Sequence, residues 1–123
     1  MPQSLEPTKL YHSEVFMPEE FKTPVFRGVL RYGPHSLKEA TTDRYGEIPL
    51  PIEFHPEGAR LIESEVRVIG INARVIKQLW RKPLDETRDL VMAITDSGYV
   101  KTVWVNLRSD THRTLNRSRY VRF

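Results

Sequence analysis

The chain has no cysteine and no long hydrophobic run. Without cysteine there is no disulfide framework, no thiol nucleophile and no cysteine-based zinc site. The longest apolar runs are about five residues, far below the roughly 20 that a membrane-spanning helix needs. The first residues also lack the basic and apolar regions of a secretory signal. We therefore expect a cytoplasmic protein with no membrane partner.

The sequence does have an uneven distribution of charge over a length that fits one domain. The net charge is +3, but residues 1–62 contain 7 basic and 9 acidic side chains, whereas residues 63–123 contain 12 and 7. The last 23 residues hold 6 basic side chains and a single acid, Asp110. This basic end favours an anionic partner, such as RNA or another nucleic acid.

Residues 1–24 carry four prolines and predict an irregular N-terminal arm, with one short helical turn near residues 18–21. Aromatic side chains are expected to pack this arm on the body of the protein. The rest of the chain, residues 25–123, is expected to form a single α+β domain with a basic C-terminal tail.

Four segments rich in Val, Ile, Leu and Trp predict a twisted antiparallel meander. They are residues 60–69, 74–82, 89–95 and 99–106, separated by turn residues. An earlier segment, residues 25–32, predicts one more strand. We therefore expect a sheet of four to five strands, with one face covered by the arm, a proline-rich loop and one short helix.

A capping box predicts the helix. Ser36 is followed three residues later by Glu39, the spacing at which each side chain bonds the other residue's backbone N–H. The helix is expected over residues 37–44, and Gly46 is placed to end it. His35 then lies at the helix N-terminus, where the helix dipole favours a neutral imidazole that acts as a base. A histidine that merely neighbours a cap is the alternative.

A second histidine, His112, directly follows the last predicted strand. Loops at strand ends often carry function, because the sheet fixes where they begin. Asp110 is placed to orient the imidazole, so a general acid or base in an anion-binding loop is one interpretation. A surface histidine in a solvated turn is the other.

Lys77 and Arg81 are predicted to share one face of a strand, roughly 13 Å apart. This spacing fits neighbouring phosphates, although two exposed cations near a sheet edge have the same pattern. Trp80, next to Arg81 and Lys82, adds an aromatic surface among cations that suits base stacking, but a tryptophan in a strand is more often part of the core.

The tail is expected to add further contacts to nucleic acid. The expected residues are Arg108, Arg113, Thr114, Arg117 and Tyr120. Alternatively, each tail arginine pairs with an acidic side chain of the sheet, which implies no partner.

Two histidines with a lysine and an arginine are the minimum set for metal-independent RNA cleavage. One of His35 and His112 takes the proton of the 2′-hydroxyl, and the other protonates the leaving 5′-oxygen. Lys77 and Arg81 stabilise the charge that builds on the phosphate. This chemistry requires no metal site and no cofactor.

The order of elements resembles the ribonuclease-toxin group that joins barnase, EndoU, colicin-type and RelE-like proteins. The similarity rests on residues 34–40, where a histidine precedes a helix, on residues 75–82, and on residues 101–112. It covers about residues 27–115 and implies a helix before a four-stranded antiparallel sheet that carries catalytic His, Lys and Arg. The proline-rich arm departs from that pattern. Residues 43–46 and the tail also look like those of small bacteriophage proteins.

Three functions are compatible with these features. The first is a metal-independent ribonuclease or toxin-like RNA-acting protein. The second is a nucleic-acid-binding module without chemistry. The third is a small viral protein that binds a host or antitoxin-like protein through its arm or a strand edge, and exposed edges are also compatible with a homodimer.

Overall fold

The computed structural model describes residues 7–110 and 115–122, and it confirms the α+β class. In this part of the chain the strands are β1 (Thr8–His12), β2 (Gly28–Val29), β3 (Arg31–Tyr32), β4 (Glu53–Phe54), β5 (Arg60–Ile69), β6 (Asn72–Pro83), β7 (Arg88–Thr95) and β8 (Tyr99–Leu107). The helix α1 spans Pro34–Thr42, and short 3-10 turns lie at Glu19–Phe21 and Arg117–Arg119.

The predicted meander forms the centre of the sheet. β5, β6, β7 and β8 pair antiparallel in sequence order. β1 adds antiparallel to β5, and β3 adds parallel to β8, which gives a six-stranded mixed sheet in the order β1-β5-β6-β7-β8-β3. β2 and β4 form a separate two-stranded sheet. The fold thus has more strands than expected, because short segments add at the edges of the meander.

Two segments differ from their predicted structure. Residues 25–32 are not one strand: Gly28 has φ +128°, and the chain changes sheets at Leu30, whose N–H donates to the carbonyl of Ile52 at 2.9 Å. The arm is not irregular throughout, since residues 8–12 form β1. Its prolines flank β1 rather than interrupt it, so the strand can pair at the sheet edge.

The helix begins earlier than the capping box predicts. Gly33 is the N-cap with an extended backbone, and Pro34 is the first helical residue. Proline is favoured there because its fixed φ suits the first turn and its missing N–H would lack a helical partner anyway. The predicted capping box is wrong, because the Ser36 hydroxyl donates to the Gly33 carbonyl at 3.2 Å and Glu39 is turned toward β8.

α1 bonds the edge of β8 with two side chains one turn apart. Glu39 accepts from the Val103 N–H at 3.2 Å and from the Thr102 hydroxyl at 2.8 Å. Asp43 accepts from the Val105 N–H at 3.2 Å. β3 pairs only with the first residues of β8. Beyond them, Glu39 and Asp43 accept hydrogen bonds from the backbone N–H groups of β8. An edge covered in this way is protected against pairing with another chain.

The main core lies on one face of the sheet, beneath α1 and the proline-rich loop. Leu90, Met92 and Val103 are fully buried there. The rings of Phe54 and Trp80 pack with their centroids 5.4 Å apart. This burial of apolar surface is the main favourable contribution to folding.

The N-terminal arm covers the rest of the same face, which confirms the predicted packing. Met17 and Phe21 are buried against the sheet. The side-chain amide of Gln78 on β6 fixes the arm, because it donates to the carbonyl of Thr23 at 2.9 Å and accepts from the N–H of Val25 at 2.9 Å.

Side chains that alternate with Gln78 and Trp80 point to the other side of the sheet, which we call the second face. On β6 these are Lys77, Leu79 and Arg81, as the sequence predicts. The second face carries the candidate site.

Candidate functional site

Five basic side chains surround a cavity of about 500 Å³ at one end of the second face. The basic side chains that line it are Arg31, Arg67, Arg74, Lys77 and Lys101, and its acids are Glu65 and Asp96. We call this cavity the cationic cleft. With five cations against two carboxylates, it has the electrostatic character that attracts anions.

Pairing between β5 and β6 positions three of these cations. Arg67 lies directly opposite Arg74, and Glu65 lies directly opposite Lys77. Lys77 Nζ is 3.3 Å from Glu65 Oε1, whereas Arg74 Nε is 3.7 Å from Asp96 Oδ2. Two like charges are thus brought together at this end of the face, with Asp96 beside Arg74.

Arg31 approaches the cleft from β3 and is held in place there. Its guanidinium carbon lies 5.8 Å from the ring centroid of Tyr99, and its Nη2 donates to the Ser97 hydroxyl at 3.1 Å. A cation–π contact of this kind orients the planar guanidinium without neutralising it. Arg31 therefore presents a positioned charge.

At the other end of the second face, one carboxylate bridges two arginines. Arg81 Nε donates to Asp89 Oδ2 at 2.7 Å, and Arg108 Nε donates to Asp89 Oδ1 at 2.9 Å. Burial by itself raises the pKa of Asp89, but the hydrogen bonds from Arg81 and Arg108 outweigh it and hold that pKa below its ordinary value. An adjacent cavity of about 510 Å³ also exposes Arg60 and Lys82.

The C-terminal segment packs over the middle of the second face. The hydroxyl of Tyr120 donates to the Glu63 carboxylate, and its ring lies edge-on to His12 with the centroids 4.8 Å apart. Burial, and then the bond to Glu63, raise the pKa of Tyr120. The Val121 N–H donates to the carbonyl of Leu10 at 2.9 Å, which ties this segment to β1.

The three described residues that were expected to be catalytic occupy separate places. His35 is exposed on α1, with Nε2 3.4 Å from Glu39 Oε2. Lys77 lines the cationic cleft, whereas Arg81 lies at the other end of the face with Asp89. His35 lines neither of their cavities. His112 lies outside the described residues.

The residues expected to bind nucleic acid are also divided. Trp80 is 5% exposed and belongs to the core, so the stacking interpretation is wrong and the core alternative is right. Tyr120 is buried against His12 and Glu63, so it is not an accessible contact.

Among the tail arginines, Arg108 forms its hydrogen bonds within the fold. It bonds Asp89 and also donates from Nη1 to the carbonyl of Glu86 at 2.8 Å, which agrees with the alternative that tail arginines pair with the sheet. Arg117 is exposed. Arg113 and Thr114 lie outside the described residues.

No family model, no curated protein and no solved structure matches this chain. Within residues 7–110 and 115–122, no group of three or more His, Asp or Glu side chains is arranged to hold a metal ion. No helix in that part of the chain is long and apolar enough to cross a bilayer. The function of the candidate site is therefore inferred from its geometry alone.

Most of the cationic cleft is not evident from the sequence, which predicts only Lys77 of its five cations as a phosphate contact. The cleft depends on strand register and on β3, which comes from a distant part of the chain. One usable signal was present. Arg67 and Arg74 are equally far from the two-residue turn at Gly70 and Ile71, and pairing the hairpin outward from that turn places the two arginines opposite each other.

Proposed function

We propose that this protein binds nucleic acid through the cationic cleft and acts as a binding module. The observation that carries the proposal is the convergence of five basic side chains from four strands on one cavity with two acids. Contacts from Lys and Arg to phosphate supply most of the sequence-independent affinity of proteins for nucleic acids. A concave wall of several cations suits a backbone with repeated phosphates better than a single small anion.

The form of the cleft supports the same function. Arg31 is oriented by Tyr99 and Ser97, so less side-chain freedom is lost when it contacts a phosphate. Arg74 and Lys101 are exposed, and both are therefore accessible to a large ligand. Lys77 keeps a partner, Glu65, that a phosphate would have to replace or bridge.

The positions of His35, Lys77 and Arg81 favour binding of nucleic acid over cleavage of RNA. General acid–base catalysis needs each group within hydrogen-bond reach of the proton it moves. His35 contacts Glu39 on its own helix, and Lys77 and Arg81 line different cavities. Metal-independent ribonuclease activity remains a prediction, with His112 as its main candidate.

Binding to labelled nucleic acids, measured by fluorescence anisotropy over a range of salt concentrations, tests the proposal. The test variant is Arg74→Gln with Lys101→Gln. The control is Lys22→Gln with Arg27→Gln, which removes the same charge from two exposed cations that do not line the cleft. The test variant should bind more weakly, and the control should bind like the wild type. Equal losses in the two variants, or no binding by the wild type at low salt, would contradict the proposal.

The same reagents distinguish the other two functions. RNA that is shortened during incubation with the wild-type protein in EDTA would support the ribonuclease. A protein partner captured equally well after nuclease treatment and at high salt would support the protein-binding alternative, because phosphate contacts weaken steeply with salt.

A further inference from the structure

The tip of the β5–β6 hairpin is apolar and exposed. Ile71 is fully exposed and Ile69 is 51% exposed. Gly70 has φ +59°, in the left-handed region that glycine adopts without steric penalty, and it forms the two-residue turn with Ile71. Exposing a complete isoleucine side chain at a turn brings no stability, since burial of apolar surface is what stabilises a fold.

The tip extends beyond the rest of the sheet as a two-stranded ribbon. On one side, the pairing of β1 with β5 ends at Arg67. On the other, the pairing of β7 with β6 ends at Lys77. Among the described residues, the Val68 N–H still donates to the carbonyl of Pro7 at 3.0 Å, and residues 69–73 extend past both neighbouring strands, beside Pro24 and Val25 of the arm. A two-stranded ribbon has the size that enters a groove of duplex DNA.

Cations lie immediately behind the apolar tip. Arg67 lies two residues before Ile69, and Arg74 lies three residues after Ile71. The two arginines are directly opposite each other. Both side chains line the cationic cleft, so they lie on the same face of the ribbon. An apolar tip that continues into a row of cations on one face matches nucleic acid, in which stacked bases lie beside a phosphate backbone.

We propose that the β5–β6 hairpin enters a groove of double-stranded DNA and places Ile71 against the base pairs as an apolar wedge. Arg67 and Arg74 contact phosphates on the side of the hairpin that faces the cationic cleft, and the rest of the cleft follows the same backbone. This inference rests on the proposed function and specifies its ligand as duplex DNA. Apolar wedges that partly unstack one base step are an established way for proteins to hold DNA in a deformed shape.

Other partners fit the hairpin less well. Two isoleucines are a small apolar surface for a specific protein interface, which buries about 1,200–2,000 Å² in total. They are also few for a membrane anchor, because interfacial binding grows with the apolar area that is buried. A-form RNA presents a deep, narrow major groove that a ribbon does not enter.

The experiment measures binding and base unstacking with the same DNA. A duplex that carries 2-aminopurine reports unstacking by a rise in its fluorescence, and its single strand and the matching RNA duplex serve as comparisons. The variant is Ile71→Ser. The control is Ile52→Ser, at an isoleucine that is 77% exposed on the proline-rich loop. Both changes remove an exposed side chain, so neither is expected to prevent folding.

The wild type should bind the DNA duplex more tightly than the single strand or the RNA duplex and should raise the fluorescence. Ile71→Ser should lose that rise and about tenfold in affinity, the scale of one good base contact, while Ile52→Ser behaves like the wild type. If Ile71→Ser binds and unstacks DNA like the wild type, while Arg74→Gln with Lys101→Gln still weakens binding, the wedge is overturned and the binding function stands. If the wild type binds vesicles of anionic lipid and no nucleic acid, both proposals fail.

Discussion

Arg81 and Asp89 form a buried ion pair across β6 and β7, with Arg81 Nε 2.7 Å from Asp89 Oδ2. The two side chains are 3% and 11% exposed. Arg108, just past the end of β8, bonds the second oxygen of Asp89 at 2.9 Å. One carboxylate thus joins the ends of three strands, and each charge depends on the others because a lone charge is costly to bury.

Replacing Asp89 by Asn should destabilise the protein by about 3–5 kcal/mol, the usual range when one partner of a buried pair is removed. Arg81 then remains buried without its counter-charge. Asp85→Asn is the control, because Asp85 pairs with Arg88 at 2.7 Å on the surface. Its effect on the urea midpoint should be much smaller, and equal effects would show that the buried pair has no special role.

Stability should fall in acid. Hydrogen bonds from Arg81 and Arg108 hold the pKa of Asp89 low in the folded protein, and the bond from Arg88 lowers the pKa of Asp85 to about 2. In the unfolded chain an aspartate takes up its proton near pH ~3.9. The unfolded state therefore binds more protons as the pH falls below about 4, and the free energy of unfolding decreases. Urea midpoints from about pH 7 to 2 should show this, with a shallower fall in Asp89→Asn.

Stability should also fall in alkali. Burial raises the pKa of Tyr32 to about 12, and its hydroxyl donates to the carbonyl of Pro51 at 2.5 Å. An unfolded tyrosine loses its proton near pH ~10, so folding stability decreases between about pH 10 and 12. Tyr32→Phe should lose about 1 kcal/mol near neutral pH and show less of this alkaline decrease. A decrease of the same size in both proteins would assign it to other groups.

His35→Ala should leave nucleic-acid binding unchanged. The imidazole is exposed, contacts Glu39 on its own helix and does not line the cationic cleft. Anisotropy titrations of this variant and the wild type should therefore overlap. A large loss of binding would show that His35 contacts the ligand and would favour the ribonuclease over the binding module.

The central strands were predictable because each is a segment rich in Val, Ile, Leu or Trp that lies between clear turn residues. β1 was not predicted, and β3 was expected only as part of one strand over residues 25–32, since such short segments become strands only through partners far along the chain. The start of α1 was misplaced for a local reason. Pro34 suits the first helical position, and it moves Ser36 and Glu39 into the helix interior, where they bond Gly33 and β8 instead of each other.

The site was predictable only in part. Alternation along β6 places Lys77 and Arg81 on one face, as expected, but does not reveal that Arg81 is buried with Asp89. That fact depends on the register between β6 and β7. Alternation also places Trp80 on the opposite face from Lys77 and Arg81, but it does not tell which face is buried, and the core lies on the Trp80 side.

The salt dependence of binding to nucleic acid tests the central claim most directly. Each phosphate contact that is removed should lower the slope of log affinity against log salt concentration by about 1. Arg74→Gln with Lys101→Gln should therefore reduce the slope by about 2, and Lys22→Gln with Arg27→Gln should leave it at the wild-type value. Equal slopes in the wild type and the Arg74→Gln, Lys101→Gln variant would contradict binding through the cationic cleft.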